Sequence, residues 1–81
     1  MGAIDIFNHH DLEFRHGAYT VMVNRDAGEG FFEHDRLGMD QGGGLWFENQ
    51  ELVDYDGVYA LPKDVAAGLR LHGFLVGPDF D

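Results

Sequence analysis

Ala18-Tyr19-Thr20-Val21-Met22-Val23-Asn24-Arg25 places Tyr19, Val21 and Val23 at every second position. In an extended chain these three fall on one side, and β-branched and aromatic residues suit that conformation. The stretch predicts a strand. Asp26-Ala27-Gly28-Glu29-Gly30 follows as a loop of turn formers, and Phe31 to Arg36 is the expected return strand of a hairpin. Upstream, Leu12-Glu13-Phe14-Arg15 predicts a strand pairing with the Tyr19 strand across Gly17, and Ile4-Asp5-Ile6-Phe7 predicts another short one.

Downstream, Leu45-Trp46-Phe47-Glu48 and Glu51-Leu52-Val53-Asp54-Tyr55 flank Asn49-Gln50. A two-residue loop sets Glu48 opposite Glu51, Phe47 opposite Leu52 and Trp46 opposite Val53, and the apolar pairs support that register. A wider loop fits equally, because Gln50 stands where glycine is usual. The glycines at Gly28 and Gly30, and the triplet Gly42-Gly43-Gly44, read as turns. Near the end the period changes. Leu61, Val65, Leu69 and His72 make the stripe of an amphipathic helix, with Pro62 and Asp64 at its start and Arg70 and Gly73 at its finish. Phe74-Leu75-Val76 predicts a last strand. The fold class is therefore α+β: a small antiparallel sheet of four to five short strands, with one C-terminal helix on one face, in a single domain over 1–81.

Composition removes many functions. The chain has 81 residues, no cysteine, 15 Asp+Glu against 5 Lys+Arg, and a formal charge of −10. No basic surface exists to hold a phosphate backbone, so direct nucleic-acid binding is not expected. The lack of cysteine excludes disulfides and thiolate metal sites and fits a reducing cytoplasm. No apolar run approaches a membrane span, and Met1-Gly2-Ala3-Ile4-Asp5 lacks the basic start of a signal peptide. A cytoplasmic protein with no membrane contact is the expectation. The chain also has no serine, one threonine (Thr20) and one lysine (Lys63), so the usual activated nucleophiles are missing and no enzyme activity is expected.

Metal binding is the first alternative. His9-His10-Asp11 with His16, and His34 further on, offer imidazole and carboxylate ligands suited to zinc. Adjacent residues of a strand point to opposite faces, however, and no HExxH spacing occurs. Exposed loop histidines are the simpler reading. Asp54-Tyr55-Asp56-Gly57 resembles the end of a calcium loop, but aligning Gly57 with its glycine puts Leu52 and Lys63 at essential ligand positions. Neither Gly28-Glu29-Gly30 nor the triplet continues as a phosphate loop. No cofactor is expected.

The acidity remains. Glu48, Glu51, Asp54 and Asp56 run together with only aromatic, amide and aliphatic residues among them, and a second set, Asp26, Glu29, Glu33, Asp35 and Asp40, brackets the first hairpin. A net charge of −10 exceeds what solubility requires, and like charges facing across a hairpin oppose folding. Such a surface suits a basic protein partner and speeds encounter with it. With Phe47 and Leu52 facing the helix, Trp46, Val53 and Tyr55 are expected on the opposite face beside Glu48 and Glu51. An aromatic patch rimmed by acid suits an arginine-rich surface. The same face could instead be buried against a second copy, giving a homodimer.

In size, charge and the stretch from Trp46-Phe47-Glu48 to Tyr55-Asp56, the chain resembles in kind the anti-CRISPR proteins, small acidic phage inhibitors of host machinery. The resemblance implies a CRISPR effector complex as partner, with its DNA-binding channel or PAM-reading site blocked. The carboxylates would then act as a DNA mimic, with Trp46 and Tyr55 adding apolar contact. Arg15, Arg25, Arg36 and the many glycines depart from a dense phosphate-like array, and steric blocking would serve equally.

Overall fold

The computed structural model describes residues 9–57 and 60–80, apart from the side chains of Met39 and Asp40. Five antiparallel strands form one meander in chain order: β1 (Leu12–His16), β2 (Tyr19–Asn24), β3 (Glu29–His34), β4 (Gly38–Glu48) and β5 (Glu51–Gly57). One helix, α1 (Lys63–Leu71), packs on the sheet, and a single 3₁₀ turn follows at Pro78–Phe80. The α+β class read from the sequence is the class of the structure. The expected Ile4–Phe7 strand lies outside the described residues.

Alternation sorts the strands into two faces. Phe14, Val21, Val23, Phe32, Leu45, Phe47 and Leu52 point toward the helix and are buried with Leu61, Val65, Ala66, Leu69, Phe74 and Val76. Val65 and Leu69, four residues apart, are fully buried, and the stripe they form is what holds so short a helix in place. Pro62 is the N-cap rather than a first-turn residue. The helix ends in a Schellman motif: Phe74 N–H reaches the Leu69 carbonyl at 3.0 Å, Gly73 N–H reaches Arg70 at 3.2 Å, and Gly73 takes φ +90°. Phe74 then enters the core against Phe47, ring centroids 4.9 Å apart. Arg70 donates to the Val76 carbonyl at 2.8 Å and ties the tail back. Instead of a strand, Phe74–Val76 makes one parallel bridge, Leu75 to Glu51.

The turns follow the sequence at some places and not at others. Gly17-Ala18 is a two-residue turn between β1 and β2, with Gly17 at φ +61°. Asn49-Gln50 is a two-residue turn as well. Both residues take positive φ, +52° and +64°, which is the type I′ requirement, and Gln50 accepts the conformation without glycine. Gly30 and the glycine triplet are corrections: Gly30 lies in β3, paired with Val23 and Leu45, so the loop closes before Glu29. Gly42-Gly43-Gly44 lies inside β4, not in a turn, and none of the three has positive φ.

Gly28 cannot be replaced cheaply. Its φ is +69°, and a Cβ there would stand 2.6 Å from the Phe47 carbonyl oxygen. Gly28→Ala is expected to destabilise the protein by about 2–4 kcal/mol, from the left-handed backbone plus the backbone clash. Gly38→Ala, at φ +61° with nothing within 4 Å, should cost only about 1–2 kcal/mol. Urea denaturation of the two variants checks the difference.

Candidate functional site: the open face of the sheet

The face away from the helix is read strand by strand from the register. Asn24, Glu29, Trp46 and Asp54 form one cross-strand row, and Glu13, Met22, Phe31, Gly44 and Asp56 form the next. Thr20 pairs with Glu33, and Glu48 pairs with Glu51 across the tight turn. Directly paired residues share a face. The structure thus brings Glu29, Glu33, Trp46, Glu48, Glu51, Asp54 and Asp56 together on one surface.

Two expected members are elsewhere. A β-bulge in β5 sets Trp46 opposite Asp54 instead of Val53. One inserted residue flips the side of every residue beyond it, so Tyr55 pairs with Leu45 on the helix side. There it packs against the core and meets Phe80 edge-on, centroids 6.0 Å apart. The Asp54 carboxylate turns back to accept the Tyr55 N–H at 2.9 Å. Asp35 sits in the β3–β4 turn, where its carboxylate accepts from the Thr20 hydroxyl at 2.8 Å and pairs with Arg15. Its charge is compensated. Tyr59 and the Asp40 side chain lie outside the described residues.

The glycines of β4 shape this face. A Cβ on Gly44 would stand 3.0 Å from Trp46 Cη2, so the benzene half of the indole covers that glycine. A Cβ on Gly42 would stand 2.5 Å from the Phe32 carbonyl oxygen and 3.4 Å from the tip of Phe31. Met22 is buried beside Phe31 yet belongs to no part of the helix-side core. Met22, Phe31 and Trp46 make an apolar centre, and Met22 and Phe31 are members that reading the sequence missed. Their parity was the available signal, since both alternate with residues of the Val21 and Phe32 face.

Charge is uneven across the face. Glu48, Glu51, Asp54 and Asp56 are exposed and Glu29 and Glu33 half-buried. Among the described residues, none of the six pairs with a cation. The β3–β5 half is therefore strongly anionic, while the β1–β2 half carries Glu13 and Arg15 together. Trp46 lies between Glu29 and Asp54 in register. An indole flanked by two carboxylates offers a guanidinium both a stacking surface and hydrogen-bond acceptors.

The histidines do not converge. His10 Nε2 lies 3.0 Å from Glu13 Oε1, and His34 Nδ1 accepts the Arg36 and Leu37 N–H groups at 3.1 Å. His16 lies against Gly68 beneath the helix, and Asp11 holds Arg25 at 2.8 Å. His9 is exposed. Among the described residues, no group of three His, Asp or Glu side chains is placed to hold a metal ion.

Two carboxyls are held below their ordinary pKa. For Asp11 the main cause is the Arg25 backbone N–H, followed by the Arg25 side chain; for Asp35 it is the Thr20 hydroxyl, followed by Arg15. A depressed folded pKa gives stability that is present above the unfolded value and lost as pH falls through the folded one. Asp11→Asn and Asp35→Asn should each flatten the decline of melting temperature below about pH 4. An acid series by circular dichroism checks this.

No described helix is long and apolar enough to cross a membrane. No family model matches the chain, and no curated protein or solved structure matches it.

Proposed function

We propose that the protein is a small acidic binding protein whose open sheet face docks on a basic, arginine-rich surface of a nucleic-acid-binding assembly. The observation that carries this reading is Trp46 set in register between Glu29 and Asp54, within six carboxylates that have no cationic partner among the described residues. The resemblance to anti-CRISPR proteins makes a CRISPR effector complex the partner, blocked where it binds DNA. Carboxylates on alternate positions of neighbouring strands present a charged sheet to that surface, and the Met22–Phe31–Trp46 centre supplies apolar contact. Mimicry of DNA and steric blocking both use this face.

A homodimer stacked through the Trp46 face fits less well. Two-fold stacking would set six uncompensated carboxylates against six.

The test is capture on the tagged protein from nuclease-treated lysate of a bacterium carrying a CRISPR system, washed across a salt series. An effector complex held at low salt, released at moderate salt and displaced by its duplex target supports the reading. An effector complex that binds its target equally well with the protein in excess contradicts it.

A further inference from the structure

The two edges of the sheet are treated differently. The β5 edge carries the bulge, and its first residues are bridged by the chain after the helix: Leu52 N–H to the Leu75 carbonyl at 2.9 Å and Leu75 N–H to Gln50 at 2.8 Å. β1 pairs without a register shift, and among the described residues nothing pairs with its outer side. The two-residue turn at Gly17-Ala18 makes His16 and Tyr19 the closing hydrogen-bonded pair, so Phe14 and Leu12 also bond inward to β2. The backbone groups of Glu13 and Arg15 are then the ones that face outward. A regular edge of this kind is a template for another strand.

The geometry points to a second copy of this chain as its occupant, pairing β1 with β1 antiparallel about a two-fold axis at Phe14. In that register each Glu13 stands opposite the other copy's Arg15, and these are the residues whose backbone groups are free to exchange hydrogen bonds. The side chains match as well. Both lie on the open face, 56% and 70% exposed, and each pair is of opposite charge. Arg15 keeps donors beyond its bond to Asp35, and Glu13 keeps a second oxygen beyond its contact with His10.

The helix adds a contact at the same axis. Asp64 lies over Gly17, Gly68 lies over Phe14 and His16, and His72 stacks on Phe14 at 4.0 Å. Leu71 follows Gly68 by three residues, on the flank that overlooks β1, and is 74% exposed. Two copies bring the Leu71 side chains together beside the axis. The product is a ten-stranded sheet with both helices on one side and both anionic faces on the other.

Sedimentation equilibrium up to about 1 mM protein tests this. The apparent mass should rise from 9.1 kDa to about twice that value. Glu13→Arg and Arg15→Glu should each stay monomeric, because each sets like charges across the seam. An equimolar mixture of the two should dimerise again, since every seam pair in the mixed dimer is of opposite charge. Leu71→Asp should weaken association at least about tenfold without lowering the melting temperature. A wild-type mass of 9.1 kDa throughout overturns the proposal, as does either single variant associating like the wild type. A mixture that stays monomeric, with both variants folded by circular dichroism, overturns it too.

Discussion

Reversing Glu48, Glu51 and Asp54 to lysine together is expected to weaken binding to a basic partner by about 100-fold or more while leaving the free protein within about 1 kcal/mol of its former stability. The two effects have one origin. Glu48 and Glu51 face each other across a two-residue turn, and Asp54 stands beside Trp46 on the exposed edge strand. None has a cationic partner among the described residues, so their removal breaks no ion pair. Each reversal changes the charge by two and takes the net value from −10 to −4, which relieves self-repulsion. Glu48 and Glu51 are surface sites that move stability by no more than about 0.5 kcal/mol apart from that relief, whereas Asp54 also accepts the Tyr55 N–H, and losing that bond costs about 1 kcal/mol. Calorimetric titration and thermal melting of the same variant read both quantities. A variant that binds as tightly as wild type would remove these carboxylates from the interface.

Phe32→Ala should remove a large share of the stability of the fold. Phe32 lies on the central strand, is 2% exposed and meets Tyr19 with ring centroids 6.2 Å apart. Truncating such a residue costs about 3–5 kcal/mol. An 81-residue chain has roughly 4–12 kcal/mol in total, so the loss takes from about a quarter of it to all of it. Its neighbour makes the control. Phe31 points to the open face, and Phe31→Ala should cost less than about 2 kcal/mol, leaving a cooperative transition. Urea denaturation followed by far-UV circular dichroism separates the two. Equal losses would contradict the face assignment on which the site rests.

Local signals carried most of the architecture. Alternation in Tyr19, Val21 and Val23 placed the helix-side face of β2, and the four-residue spacing of Leu61, Val65 and Leu69 placed the helix stripe. Gly73 signalled the helix stop because a left-handed residue is needed there. Long-range fit was what the sequence withheld. Gly42-Gly43-Gly44 runs straight in β4 because Gly43 and Gly44 pair with Phe32 and Phe31 across the hairpin, where the Phe32 carbonyl leaves no room for a Cβ on Gly42. The bulge at Val53 was equally hidden, since no residue type demands a bulge, and it alone moved Tyr55 to the other face. Asp35 looked like one more free acid until the fold put Thr20 and Arg15 beside it.

Trp46 is the chain's single tryptophan and sits at the centre of the anionic face, so its fluorescence reports that surface alone. The direct measurement is a titration with an arginine octamer at low salt, following Trp46 emission and peptide anisotropy together. Stacking of guanidinium on the indole should change Trp46 emission in step with peptide binding, and about 0.5 M salt should reverse both. A peptide that binds with Trp46 emission unchanged would place the basic partner on another surface and contradict the account.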